Sequence, residues 1–420
     1  MTTIAPLQSV NVERPLGALE QFFSLIDQHR PIHFAVVAHI EGSTTIPAWR
    51  SALDAVQKRH PLFSVGIESR EGGAPHFRTA ANSPIPLRLV RDLNRSSWQA
   101  EVAKELATPF RAHQAPLVRA VLLHRTSESI LILAAHHSIA DGISLSYVVR
   151  DILHALSEED LEPLPPLPSH ESLVNMSQAA SGNGHRPVQS GTPQNGAPVA
   201  FRLPDGSLPR IETLSLGPEL TSKLIEICRK ERTTVHGALC SALVIAGREV
   251  SSVWSNTPVR VLSPFDLRKQ LGIGEDCGVF TWAGIVTMEP TPKAFWDLAR
   301  YAKTALTGTQ SLENVYLEMA GLREALQPGI DVHAASRILA QGFPCELVVT
   351  NLGNLNYDFN RGELKLKALW GPAVAMGFEG LQTVGVATTN GSLCLVHSSF
   401  APLPALLQRT ERILCTVRKE

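Results

Sequence analysis

The chain has 420 residues, with 38 Lys or Arg and 39 Asp or Glu, so its formal net charge at pH 7 is −1. This balance gives no electrostatic argument for nucleic acid or an anionic membrane as a partner. Apolar residues make up 44% of the sequence, which indicates a globular protein. The length indicates two or three domains, or one large two-lobed body. Because we find neither a run of 18 apolar residues nor a signal-peptide pattern, we expect no membrane span and a cytoplasmic location.

The first half of the sequence predicts strands that alternate with helices. Residues 32–40 are apolar at nearly every position, as in a buried strand. A helix with an apolar stripe follows them and ends before Pro61, which cannot extend it. Residues 116–124 and 130–135 predict a hairpin, and a further helix begins after Gly142.

The composition changes after residue 157. Residues 158–200 are rich in Pro, Gly, Ser, Asn and Gln, which cannot bury enough apolar surface to offset the entropy of ordering. We therefore predict an N-terminal lobe over 1–157, a flexible crossover linker over 158–200 and a C-terminal lobe over 201–420.

The second half has helix and strand patterns of its own. Asn390-Gly391 stands between two alternating apolar runs and predicts a hairpin with a type I′ turn. The predicted helices cover 218–230, 234–248, 293–307 and 312–325, and the predicted strands cover 258–263, 278–288, 345–350, 382–389 and 392–399.

The segment most informative about chemistry is AAHHSIADGIS, residues 134–144, in which a predicted strand ends at two adjacent histidines. Imidazole has an ordinary pKa of about 6.5, so it can accept and return a proton at neutral pH. The residues alone leave catalytic, structural and partial metal-site interpretations open. We expect no metal, because a metal site would need a third ligand and the six cysteines form no CxxC pair.

His136 to Gly142 matches the HHxxxDG motif of the condensation-domain superfamily, which resembles chloramphenicol acetyltransferase in fold. The superfamily includes nonribosomal peptide condensation domains, freestanding polyketide-associated acyltransferases and alcohol acetyltransferases. RHPL at 59–62 and SPFDLRKQL at 263–271 are similar to further segments of this superfamily, and TNLG at 350–353 is similar to a turn of its alcohol acetyltransferase branch. This resemblance implies an α/β (α+β) fold with two lobes, each a mixed sheet flanked by helices, and an active-site tunnel between them.

The resemblance also implies roles for single residues. His137, the second histidine of the motif, is expected to be the general base. His136 and Asp141 are expected to be structural, with Arg268 as the ion-pair partner of Asp141. The residues expected to stabilise an oxyanion or bind substrate are Gly142, Thr350 and Asn351.

The activity implied is acyl transfer from a thioester on coenzyme A, or on the phosphopantetheine arm of a carrier protein, to a small-molecule alcohol or amine. No bound cofactor and no nucleic-acid partner are expected, and we expect a monomer. The TNLG segment and the single-chain length favour an alcohol acceptor in secondary or lipid metabolism. The alternatives are an amide-forming condensation enzyme and a non-catalytic member of the fold that binds a carrier protein.

Overall fold

The structure, a computed structural model, describes residues 11–69, 73–91, 97–180, 199–326 and 329–417. The strands are β1 (Glu13–Pro15), β2 (Phe34–Glu41), β3 (Val65–Glu68), β4 (His76–Thr79), β5 (Leu87–Leu89), β6 (Val118–His124), β7 (Glu128–Ala135), β8 (Arg210–Leu216), β9 (Val259–Asp266), β10 (Thr281–Met288), β11 (Leu347–Asn354), β12 (Asn360–Arg361), β13 (Leu364–Val374), β14 (Gln382–Thr389) and β15 (Ser392–Ser399). The α-helices are α1 (Ala18–His29), α2 (Ile46–Arg59), α3 (Trp98–Ala107), α4 (Gly142–Leu156), α5 (His170–Ala180), α6 (Pro218–Lys230), α7 (Val235–Arg248), α8 (Ser252–Asn256), α9 (Arg268–Leu271), α10 (Phe295–Thr309), α11 (Leu312–Ala325), α12 (Val332–Gly342) and α13 (Leu406–Val417).

The first large sheet has the strand order β12-β13-β2-β7-β6-β5. Only the β5–β6 pairing within it is parallel, so the sheet is mixed. Helices α2 and α4 cover one face, where Trp49 and Leu53 pack with Leu145 and Val149 in a continuous apolar core. Strand β7 lies in the middle of this sheet, between β2 and β6. Because α4 follows β7 in sequence, the segment between them lies where this central strand ends.

The second large sheet has the strand order β10-β9-β11-β14-β15-β8, with β11 parallel to both of its neighbours. Side chains of α7, α10 and α13 form an apolar core on one face. Side chains of α1, α11 and α12 pack against the other face, where Leu262 of β9 and Val348 of β11 are buried. The expectation of two mixed sheets flanked by helices is therefore confirmed.

Strand β13 connects the two halves of the protein. It lies within the span predicted as the C-terminal lobe, but it pairs antiparallel with β2 of the first sheet, Trp370 opposite Val37. The range 201–420 is therefore not one uniform lobe. The sequence indicates a strand here through alternating apolar residues, but strand partners depend on tertiary contacts that the local pattern does not contain.

Part of the predicted linker is an ordered element. The N–H of Leu164 donates to the carbonyl of Arg59, and Val174 of α5 is fully buried. Glu171 binds Arg323 of α11 at 3.0 Å. Residues 158–180 of the predicted linker thus include a helix and packed positions, because even a polar segment can be ordered by a few anchoring contacts, and the flexibility of the linker stays a prediction. Residues 181–198 lie outside the described residues.

The close approach of β13 and β14 gives a prediction about Gly385. A Cβ at Gly385 would lie 2.0 Å from the carbonyl oxygen of Pro372, so alanine would force the two strands apart. We expect Gly385→Ala to lower the free energy of unfolding by about 3 kcal/mol or more. Gly321→Ala is the matched control, because a Cβ there meets no atom within 4 Å and alanine favours α11, by about 0.5–1 kcal/mol. Denaturant unfolding of both variants measures the difference, and equal stabilities would contradict the expected clash.

No helix in the described ranges is long and apolar enough to cross a membrane.

Candidate active site

The two histidines lie in the short segment between β7 and α4. The N–H of His136 donates to the carbonyl of Leu117 at 2.9 Å, and the N–H of Ile139 donates to the carbonyl of His136 at 3.1 Å. Asp141 then caps α4, because its Oδ1 accepts from the N–H of Ser144 at 2.8 Å. The segment is therefore held at both ends, and the direction of the His137 side chain is set by backbone contacts.

The His137 ring lies between aromatic side chains and lines the main cavity. It stacks on Phe23 of α1, with ring centroids 4.2 Å apart, and its centroid is 4.8 Å from that of Phe34. Nδ1 is buried and makes no hydrogen bond of good geometry among the described residues. Burial lowers the pKa of His137 from its ordinary value, although the charge of Asp141 and the backbone at 137 and 140 oppose this. The imidazole is therefore neutral at pH 7.

The cavity has a volume of about 310 Å³. It lies between one face of the second sheet and the helices α1 and α12, and the start of β2 and the end of β13 also contribute to its wall. Most of the lining is apolar. The polar side chains on it belong to His137, Asp141, Asp266, Thr281, Trp282, Thr350 and Asn351.

His136 points away from the cavity into a buried polar cluster. Its Nε2 lies 3.6 Å from Oδ2 of Asp27, and its Nδ1 accepts from the N–H of Ser138 at 3.1 Å. Burial lowers the pKa of His136 to about 4. Burial alone would raise the pKa of Asp27, but the hydrogen bond from His33 and the charges of the two histidines lower it to about 2. Asp27 is a residue that the sequence reasoning missed.

Asp141 and Arg268 form a buried ion pair, although 127 residues separate them in sequence. Nη1 of Arg268 donates to Oδ2 of Asp141 at 2.9 Å, and Nη2 donates to Oδ1 at 3.0 Å. Oδ2 also accepts from the N–H of Phe280 at 2.9 Å. Burial opposes ionisation of Asp141, but Arg268 and these donors together lower the pKa of Asp141. The expected pair is thus present, and Asp141 caps α4 as well.

The segment between β9 and β10 makes further contacts with the start of α4. Ser144 Oγ donates to the carbonyl of Gly278 at 2.9 Å. Nη1 of Arg268 also donates to Oδ1 of Asp266, the last residue of β9, at 2.7 Å. Residues 278–280 were predicted as the start of a strand, but the structure begins β10 at Thr281. The backbone of 278–280 turns toward Asp141 and Ser144, which explains the difference.

The three residues expected to contact an oxyanion or substrate all line the cavity. Gly142 occupies the first position of α4, where a Cβ would lie 2.6 Å from Cγ of Pro372. Thr350 and Asn351 lie on β11, so TNLG belongs to a strand, with a register shift after Asn351. Oδ1 of Asn351 accepts from the N–H of Gly353 at 2.8 Å. The roles expected for these residues stay predictions.

His170 gives a test of the electrostatics behind the site. It is 2% exposed, and both ring nitrogens are buried without a hydrogen-bond partner in the described part of the chain. Burial lowers the pKa of His170 to about 4, with Asp141 opposing and Arg268 adding to the shift. The unfolded chain, with a pKa near 6.5, therefore binds this proton first as the pH falls.

We expect this residue to make the protein less stable in acid. The stabilising contribution of neutral His170 is complete above about pH 6.5 and decreases as the pH falls toward 4, by about 2 kcal/mol between pH 7.5 and pH 5. His170→Leu removes the titrating group and breaks no hydrogen bond, so its free energy of unfolding should depend less on pH. Denaturant unfolding at the two pH values gives the comparison, and an unchanged pH dependence would contradict this assignment.

No group of three or more His, Cys, Asp or Glu side chains in the described ranges is arranged to hold a metal ion.

Comparison with known proteins places this geometry in a family. A family model described as a condensation domain matches residues 21–319, more than half of the chain. The chain belongs to the condensation-domain family. The match includes the HHxxxDG segment, with Asp141, and also Arg268, so both residues of the buried ion pair lie within it.

Two curated relatives of this condensation-domain chain are bacterial synthetases. This chain is 30% identical over 158 residues to phosphinothricin tripeptide synthetase PhsC of Streptomyces viridochromogenes, and the aligned region covers 35% of this chain and 14% of the relative. It is 25% identical over 313 residues to bacitracin synthase 2 of Bacillus licheniformis, and that aligned region covers 72% of this chain and 12% of the relative. The chain therefore spans only a small part of the length of the relatives it matches.

Two solved structures have a similar fold along the whole chain. Polyketide synthase associated protein 5 from Mycobacterium tuberculosis has a TM-score of 0.67 at 18% identity, with 99% of both chains covered. The first condensation domain of the CDA synthetase has a TM-score of 0.68 at 16% identity, with 99% of this chain and 97% of that chain covered. The predicted chloramphenicol-acetyltransferase-like fold class is thereby confirmed.

Proposed function

We propose that this condensation-domain protein is an acyltransferase that moves an acyl group from a thioester to a hydroxyl acceptor and forms an ester. The proposed donor is acyl-coenzyme A or an acylated carrier protein, and the proposed location is the cytoplasm. The observation that carries the proposal is the position of the His137 ring, stacked on Phe23 at the wall of an apolar cavity, where burial lowers its pKa. A neutral imidazole in such a place is available to accept a proton from a substrate.

The proposed reaction uses His137 in both proton transfers. Because Nδ1 is buried, Nε2 accepts the hydroxyl proton while the acceptor oxygen attacks the thioester carbonyl. The tetrahedral intermediate then collapses, the carbon–sulfur bond breaks, and the imidazolium returns the proton to the leaving thiolate. The base is neutral again when the ester and the free thiol leave.

The negative charge of the intermediate needs donors close to the carbonyl oxygen. Gly142 is the first residue of α4, and the N-terminus of a helix carries a partial positive charge and N–H groups without helical partners. Thr350 and Asn351 present a hydroxyl and an amide to the same cavity. We assign stabilisation of the oxyanion to these three residues.

A second candidate is amide formation with an amine acceptor. It is favoured by the similarity to a tripeptide synthetase. The same base would serve, since an amine also loses a proton as it attacks. The two candidates differ only in the acceptor atom.

The experiment supplies the purified protein with acetyl- and longer acyl-thioesters, on coenzyme A and on a carrier protein, with panels of alcohols and amines. Release of free thiol measures turnover, and the intact mass of the product identifies an ester or an amide. We expect thiol release that depends on an alcohol. Amide products alone would select the second candidate, and no acceptor-dependent release from any donor would overturn both.

A further inference from the structure

A row of aromatic rings leads away from His137 along the cavity wall. Phe23 stacks on His137, and the centroid of Phe22 lies 6.2 Å from that of Phe23. Phe343 of α12 follows at 6.3 Å from Phe22, and Trp282 of β10 follows at 6.3 Å from Phe343. All of these side chains line the same cavity. The cavity thus has one end at the proposed base and another end walled by rings.

Aliphatic side chains also line this cavity. Leu262, Pro264 and Ala283 come from neighbouring positions of β9 and β10, and Val348 comes from β11. Leu339 of α12 lies on the helical side. An apolar ligand placed here would exchange water for apolar side chains along its whole length, which is favourable for each methylene group buried.

We propose that this end of the cavity holds a linear, uncharged hydrocarbon chain of the substrate, attached to the carbon or oxygen atom that reacts at His137. This inference rests on the proposed function and adds its substrate class. Because the reacting groups take up the end of this cavity at His137, the walls at the other end limit the length of the chain.

The charges around the cavity lie away from its aromatic end. Among the described residues that line it, the carboxylates are Asp141 and Asp266, and Arg268 donates hydrogen bonds to both. Neither lies in the row of rings. An ammonium group carried into this end would lose its hydration, whereas a methylene chain would not. The apolar lining therefore favours an uncharged hydrocarbon chain over a charged one here.

Binding measurements test the proposal without requiring catalysis. Two series are titrated calorimetrically into the protein: coenzyme A thioethers with alkyl chains of two to sixteen carbons, and linear alcohols of the same lengths. In one of the series we expect affinity to rise about fourfold per methylene and then to level off once the chain fills this end of the cavity. The series that shows the rise tells whether the chain belongs to the donor or to the acceptor. A flat dependence in both series would overturn the proposal.

The matched ligand for charge is the eight-carbon member of the responding series with an amino group on its terminal carbon, which the chain would carry toward the rings. It should bind at least tenfold more weakly than the unsubstituted ligand, and equal affinity would contradict the argument from charge. If chain length controls binding but no thiol is ever released, the proposed reaction fails and this binding site remains. The two failures are therefore distinguishable.

Substitutions on the wall locate the chain. We call the chain length at which affinity stops rising the levelling point. Ala283→Phe adds a ring to the cavity wall and should move the levelling point to shorter chains. Phe343→Ala removes a ring and should move it to longer chains. Val253→Phe, at a 63% exposed position on α8, is the control that adds the same ring outside the cavity and should leave the levelling point in place. Melting curves identify any variant that does not fold. A levelling point that neither cavity substitution moves would exclude this end of the cavity as the binding site.

Discussion

Replacing His137 with alanine is expected to lower the rate of acyl transfer by about 10²–10⁴-fold, which is the usual contribution of a positioned general base. The ring donates no hydrogen bond of good geometry that holds the fold, and its main contacts are with Phe23 and Phe34. We therefore expect a folded, inactive protein. Thiol release at saturating donor and acceptor gives the rate, and far-ultraviolet circular dichroism gives the folding state.

The neighbouring histidine separates this role from a structural one. His136 faces Asp27 in a buried polar cluster, so His136→Ala should lower the melting temperature by leaving Asp27 with fewer partners. Its effect on the rate should be indirect and smaller than that of His137→Ala. A fully active His137→Ala protein with an inactive His136→Ala protein would exchange the two assignments and overturn the mechanism.

The sequence predicts best the elements whose signals are local. The helix over Pro218–Lys230 agrees with the prediction at both ends, since Gly217 and Pro218 mark its start. The hairpin at Asn390-Gly391 is confirmed, because both residues have positive φ, 51° and 75°, as a type I′ turn requires. In each case the residues that determine the conformation lie within the element.

The site could be predicted only in part. The motif located His136, His137 and Asp141, but helix α1 was not predicted, and with it Phe23 and Asp27 were missed. Its apolar stripe was detectable from the spacing of Leu19, Phe22, Phe23 and Ile26, although glycine replaces the usual serine or threonine at the N-cap. That Phe23 meets His137 depends on how α1 packs, and no local pattern contains this information.

Breaking the Asp141–Arg268 pair is expected to have the largest effect on stability. Both side chains are about 5% exposed or less, so removing one partner leaves a charge buried and uncompensated, at a cost of about 3–5 kcal/mol. In Asp141→Asn, the amide oxygen can still accept from the N–H of Ser144 and cap α4. The amide NH₂ takes the place of Oδ2, which accepts from Arg268 and from the N–H of Phe280, so both of these hydrogen bonds are lost. Both Asp141→Asn and Arg268→Met should lower the melting temperature and the rate.

The double variant tests whether the two residues act as one unit. Asp141→Asn with Arg268→Met should lose much less stability than the sum of the single losses, because the pair is lost only once. Some loss should remain, since Asp266 also loses its bond to Arg268. The exposed pair Arg78–Glu68 is the control, and the cycle Arg78→Met with Glu68→Gln should change stability by at most about 1 kcal/mol.

The outcome of the cycle decides what Asp141 does for the site. Strong coupling would mean that Arg268, in the segment between β9 and β10, holds Asp141 and with it the His137 segment in place. The second half of the chain would then position a catalytic base that belongs to the first half. Losses that simply add would leave Asp141 with only its cap on α4, and His137 would then be positioned by the first half alone. Because the Arg268 guanidinium donates to Asp141, Asp266 and Ser144, it can act on His137 through Asp141. A fall in rate in Arg268→Met with unchanged donor binding would therefore separate positioning of the base from substrate recognition.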